Sequence, residues 1–224
     1  MNYIKITVNY LSNRTKAVQA IVAIFYTVGV IGTLIPPTSS LFLSLTPYVL
    51  LLSTLLLIAF HKGNDTRKTT LSFLIIFLLS FIIEVIGVKT GLIFGEYAYG
   101  KGLGIKLFQT PLIIGLNWFF LVYTTASIVE EFKIPTWLKI VGASILMLLY
   151  DLILEQMAPV FEMWQWKNGV IPIQNYIAWF LIALLFHWLL KLRKIKFQNK
   201  LAFVILFCQF MFFVVLLFAN KLMY

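Results

Sequence analysis

The stretch LAFVILFCQFMFFVVLLFA, residues 201 to 219, carries no charged side chain over nearly the length, about 20 apolar residues, that a helix needs to cross a hydrocarbon core of roughly 30 Å. It reads as a membrane span, and the rest of the chain agrees. Hydrophobic residues make up 61% of the 224 positions and charged residues 12%, against about a quarter charged in a soluble domain. The same criterion places spans at 17–35, 41–60, 71–88, 111–129, 137–154, 173–190 and 201–219. Helix breakers separate them: Pro36-Pro37, the KGND turn at 62–65, a glycine-rich stretch at 87–104, Pro135, Gly169 to Pro172, and the basic run KLRKIKFQNK at 191–200. The fold expected is an all-α integral membrane protein, a bundle of about seven transmembrane helices in one polytopic domain over residues 1–224. The basic N-terminal flank leads straight into a span-length apolar segment without a small-residue cleavage site, so that segment reads as an uncleaved span.

Lys and Arg number 18 against 8 Asp and Glu, a net charge of +10. Counted on alternate sides of the seven spans, 13 of the 18 basic residues fall on one side and 5 on the other. By the positive-inside rule this places the N-terminus in the cytoplasm and the C-terminus outside a cell membrane, with the loops at 89–110 and 155–172 external. The basic excess is thereby accounted for without nucleic acid. A retinal protein needs a Schiff-base lysine in its last span, and 201–219 has none. Membrane di-iron oxygenases need clustered histidines, and the two here, His61 and His187, are isolated. Both are expected to be structural. The one cysteine, Cys208, rules out an intrachain disulfide and a Cys-based zinc or iron–sulfur site. No dinucleotide fingerprint, phosphate-cradling loop or Ser/His/Asp arrangement is present; neither a metal nor a cofactor is expected.

Ionisable residues inside the membrane are costly and face a partner or a cavity. At 1.5 Å per residue, Glu84 lies about 20 Å up from the inner end of its span and Asp151 about 21 Å, while Asn117 lies about 9 Å below the outer end of the descending span. Three polar side chains from three spans therefore share one layer in the outer half of the bilayer, with Trp118 and Tyr150 as chain neighbours. Glu155, four residues after Asp151, shares its helical face one turn further out. Any one of these could serve merely as hydrogen-bonding glue between helices, and the aromatic residues Tyr97, Tyr99, Trp164, Trp166 and Trp179 suit a membrane interface whatever the function. Their coincidence in depth favours a site. Burial disfavours the charged form of a carboxyl, so a buried acid can hold a proton. Protonating a trisubstituted alkene gives a tertiary carbocation, which faces of Trp and Tyr stabilise by roughly 0.5–2 kcal/mol per ring. A carboxylate then orients water to quench the cation, or removes a proton from it. Acids and aromatics together in a membrane point to isoprenoid hydration or cyclisation.

The ordered segments FGEYAYG (94–100), GIKLFQTPLIIGLNW (104–118), YDLILE (150–155) and FEMWQWKNGVIPIQNYIAW (161–179) resemble the carotenoid biosynthesis membrane proteins, whose characterised members are carotenoid 1,2-hydratases acting on lycopene, gamma-carotene or bisanhydrobacterioruberin. Glu96, Tyr97 and Tyr99 match the family's Gly-x-Tyr-x-Tyr segment, Pro111, Asn117 and Trp118 its Pro-to-Trp segment, and Asp151 its acidic helix end. Trp164, Trp166, Pro172, Asn175 and Trp179 match the aromatic and Pro-x-x-Asn segments. The chain departs from the family pattern at Glu155-Gln156, where Asp-Pro is common, and at Ala178, where Gly is common. The resemblance implies a cofactor-independent hydro-lyase that adds water to the terminal 1,2 double bond of an acyclic carotenoid end. Asp151, Glu155, Glu84 and Glu96 are its candidate catalytic acids, and Tyr97, Tyr99, Asn117, Trp118, Trp164, Trp166, Asn175 and Trp179 its candidate substrate contacts. The expected partners are a carotenoid drawn from the bilayer, water, membrane lipids and other enzymes of the pathway. A membrane carotenoid cyclase using the same acids, and a non-catalytic carotenoid-binding protein, are the alternatives.

Overall fold

The computed structural model describes residues 14–63 and 65–223. Lys5, one of the 13 basic residues on the side assigned to the cytoplasm, and Asn64 of the 62–65 turn lie outside the described residues. Helix α1 spans Thr15–Leu34, a short α2 Pro36–Ser44, α3 Thr46–Ala59, α4 Thr66–Thr90, α5 Ile113–Glu130, α6 Thr136–Met157, α7 Ile173–Leu192 and α8 Ala202–Met223. Among the described residues six of these helices are long and apolar enough to cross a membrane. A seventh crossing is reached only by joining α2 and α3, which meet at a 54° bend. The second span expected at 41–60 thus begins at Pro36 and is broken. The cause is local: Pro36 and Pro47 each sit at a helix start, where a missing N–H costs nothing, and Pro47 cannot extend the preceding helix.

The outward faces explain the need for lipid. Ile21, Ile24, Ile31, Leu55, Ile58 and Leu74 are among many large apolar side chains left exposed, a surface far larger than a water-soluble monomer carries. Helix α5 is the exception: 78% of its apolar window is buried, against 22–33% for the other five candidate spans. It is the axis of the bundle, packed by α3, α4, α6, α7 and α8.

At one end the helices are closed by two small strand pairs. Strand β1 (Tyr97–Tyr99) pairs antiparallel with β4 (Trp164–Trp166), and β2 (Lys106–Leu107) with β3 (Thr110–Pro111). The segments expected to be loops at 89–110 and 155–172 are therefore joined into one ordered cap. Helix α4 stops at Gly91, whose φ of 66° is the left-handed capping conformation, and the chain turns back towards the bundle. Beyond β1 the Gly100 and Gly102 amides donate to the Met163 and Glu162 carbonyls, each at 2.8 Å. A Cβ on Gly102 would stand 1.9 Å from the Phe161 carbonyl oxygen, so the close approach of the two backbones depends on glycine.

Candidate active site

Alternation along the β1–β4 ribbon builds the site. Register pairs Tyr97 with Trp166 and Tyr99 with Trp164, and since successive strand residues face opposite ways, all four rings turn into the bundle while Ala98 and Gln165 face out. The ring centroids of Tyr97 and Trp166 are 4.9 Å apart. Each pair of ring types then finds its own acid.

Glu84 of α4 accepts from the Tyr97 hydroxyl at 2.6 Å and the Tyr99 hydroxyl at 2.8 Å on one carboxylate oxygen, and from the Trp118 indole at 2.9 Å on the other. Burial, followed by the Glu84 charge, pushes both phenols far above their usual value, so they remain protonated donors. Glu155 of α6 accepts on its Oε2 from the Trp164 indole at 2.9 Å and the Trp166 indole at 2.7 Å, and on its Oε1 from the Asn175 amide at 2.8 Å. Both glutamates are buried, and each takes three hydrogen bonds and donates none of those described. Both oxygens of each glutamate are thus used as acceptors.

Asp151 differs. It is 0% exposed, the Asn175 amide reaches its Oδ2 at only 3.4 Å, and its Oδ1 has no hydrogen-bond partner. Asn175, at the start of α7, thus bridges Asp151 and Glu155. A small chamber of about 20 Å³ lies among these groups, lined by Glu84, Glu155, Tyr97, Tyr99, Trp164 and Trp166, with Phe94, Ile114, Asn175 and Trp179 completing it. Trp179, which lines the chamber, stacks on Trp118, centroids 4.2 Å apart and planes at 22°. Among the described residues no group of three or more His, Cys, Asp and Glu side chains is placed to hold a metal ion.

A second, larger cavity of about 120 Å³ abuts the first and shares Ile114 and Trp164 with it. Its walls are almost wholly apolar, and the expected layer of polar residues divides here. Asn117 lines this cavity instead of the acid chamber, and its buried side chain makes no hydrogen bond among the described residues. Tyr150 and Leu154, flanking Asp151 on α6, line the cavity too. Asp151 itself lines neither space: its helix neighbours Tyr150 and Leu154 line the larger one, and its hydrogen-bond partner Asn175 lines the smaller.

The structure brings Glu84, Glu155, Asp151, Asn175, Trp118, Trp179 and the four ribbon rings together. It does not bring Glu96 to them: that side chain is exposed and ion-paired with Lys167 at 2.5 Å on the outside of the ribbon. The histidines lie outside the site, His61 on the Tyr123 hydroxyl at 2.8 Å and His187 on Thr125 at 3.0 Å. Burial lowers the His61 pKa. A chain the sequence reading missed runs from Ser53 through Tyr26 and Gln209 to Tyr150, at 2.9, 3.1 and 2.7 Å, joining α3, α1, α8 and α6 beside the cavity. Its signal was available in Gln209, the amide standing amid the otherwise apolar 201–219 stretch.

Fold and site together define a polytopic membrane protein with buried carboxylates and aromatic rings beside an apolar cavity. The sequence profile of the carotenoid biosynthesis protein family matches residues 45–223, and the chain belongs to that family. It is similar to the bisanhydrobacterioruberin hydratase of Haloarcula japonica, 28% identical over 156 residues that cover 62% of this chain and 52% of that protein. The chain thus spans about half the length of the curated relative it matches. No solved structure matches it.

Proposed function

We propose that this protein hydrates the terminal 1,2 double bond of an acyclic carotenoid end group, with Asp151 as the proton donor. The observation that carries the assignment is the free Oδ1 of Asp151, the one oxygen of the three buried carboxyl groups here without a donor on it, set beside two glutamates that each take three. An oxygen that accepts no hydrogen bond is free to carry and release a carboxylic acid's proton, whereas every oxygen of the two glutamates is already taken by a donor.

In the proposed reaction Asp151 transfers its proton to C2 of the terminal alkene, and the positive charge falls on the tertiary C1. The carboxyl oxygens of Glu84 and Glu155 and the faces of the Trp118–Trp179 pair and the ribbon rings stabilise that cation as it forms. Water held by the Asn117 amide adds its oxygen to C1, and its surplus proton returns to the Asp151 carboxylate. Atoms balance as alkene plus water to tertiary alcohol; no electrons are exchanged and no cofactor is consumed. The cavity's size supports hydration over cyclisation, because closing a ring requires two isoprene units folded against each other near the cation. The charge asymmetry of the loops supports placing the capped end outside the cell membrane.

Mass analysis of pigment from lycopene-producing cells expressing the protein tests this. The expected product is heavier by one water per open end, and Asp151→Asn abolishes it at unchanged protein level. A new pigment of unchanged mass would assign a cyclase, no new pigment a binding protein, and full activity in the variant a different donor.

A further inference from the structure

The larger cavity is not sealed within the bundle. At its mouth Phe25 and Val28 of α1 and Leu45 at the α2–α3 break are 41%, 50% and 37% exposed, while Tyr26, Tyr150 and Leu154 at its base are buried. The mouth therefore faces the surroundings of the helices, which for this outer surface are lipid. Two features border it: Leu45, Thr46 and Pro47 line it at the 54° bend between α2 and α3, and Gly29 presents no side chain, its absent Cβ lying 3.4 Å from the Phe212 ring.

We propose that this cavity binds the terminal open-chain isoprene unit of a polyene, taken sideways from the bilayer, and that the remaining length of the polyene stays in lipid. The proposal rests on the hydratase reading for the identity of the polyene, and on geometry for the site. A volume of about 120 Å³ compares with the roughly 150 Å³ of an engineered apolar cavity that takes up benzene, a molecule of one isoprene unit's size. A chain long enough to span the bilayer has no room to fold into it. The polar side chains in the walls are Asn117, Thr33 and Thr46, whose hydroxyls donate to nearby backbone carbonyls, and Tyr26, Tyr150 and Gln209, which are joined to one another. The cavity's inner wall, Ile114 and Trp164, is also the wall of the acid chamber, so displacing these two side chains opens the seated end to that chamber and to Asn175, the partner of Asp151. Much of the mouth comes from α1, which precedes the family-matched segment at 45–223.

Such a site reads one end of its substrate only. Lycopene and gamma-carotene, sharing an open end and differing at the other, should be hydrated per open end at rates within about twofold in vesicles containing the full chain. A binding measurement separates this site from the chemistry. Asp151→Asn protein purified from lycopene-producing cells should retain lycopene. Adding Gly29→Phe or, from the opposite wall, Val49→Trp should reduce retention about tenfold or more, the equivalent of 1.4 kcal/mol. Ile24→Trp, on the lipid face of α1 beside the cavity but not lining it, should not. Retention unaffected by both filling substitutions in monodisperse protein, or a more than tenfold rate difference between the two carotenoids, overturns the proposal. If wild-type protein adds no water yet retention follows the expected pattern, the hydratase reading fails and the binding site stands; if water is added and the filled variants still bind, the reverse holds.

Discussion

At the scale of single residues, protonation and water capture are assigned to different side chains, and this can be measured. Asn117→Leu leaves Asp151 and its neighbours intact but removes the amide proposed to hold the nucleophile. The cation should then form and return its proton: in D2O the variant's hydration should fall about a hundredfold, within the range of positioned proton-transfer groups, while deuterium accumulates at C2 of recovered substrate. Asp151→Asn should show neither reaction. Mass spectrometry distinguishes the two, and an Asn117→Leu protein that hydrates at the wild-type rate would remove Asn117 from the mechanism. These residues were legible in the sequence to different degrees. Depth counting singled out Glu84, Asp151 and Asn117 because helix rise is regular, and the four-residue spacing singled out Glu155. It could not reveal that Asn117 faces the neighbouring cavity, since rise fixes height and not azimuth. Glu96 was misplaced because matching a motif carries a residue to a segment without saying which side of the strand it occupies; next to Tyr97 in the chain, it faces Lys167 outside.

The element that decides the site is the β1–β4 ribbon, where the hydropathy of the sequence was least informative. Its strands are three residues each and separated by more than sixty positions, so no local period marks their pairing, whereas the long apolar helices were plain from composition. The break between α2 and α3 was masked by its own hydrophobicity, since an apolar run reads as one span whether or not it bends. Gly102→Ala tests the ribbon: with a Cβ driven to 1.9 Å from the Phe161 carbonyl, the strands must separate, at a cost of about 1–3 kcal/mol. The expected result is a lower melting temperature in detergent and loss of hydration. Gly142→Ala, where the nearest atom is Val129 at 4.0 Å, should change neither.

For the molecule as a whole, the proposed orientation puts the ribbon outside and the Glu130–Lys191 ion pair at the cytoplasmic end. In a Cys208→Ser background, a membrane-impermeant maleimide applied to intact cells should label Asn168→Cys in the exposed turn after β4, and label Lys133→Cys, between α5 and α6, only after lysis; the opposite pattern would invert the assignment. The ribbon's hydrogen bonds also bear on how such a chain is threaded into a bilayer during synthesis. A bare carboxylate entering lipid is costly, yet each glutamate is followed closely by donors of its own: Tyr97 and Tyr99 come 13 and 15 residues after Glu84, and Trp164 and Trp166 come 9 and 11 residues after Glu155. Each acid can be capped by the loop that leaves the ribosome just behind it. The ribbon donors for each acid thus lie in its own half of the chain, and the strand pairing that completes the chamber joins two segments that each carry an acid together with its partners.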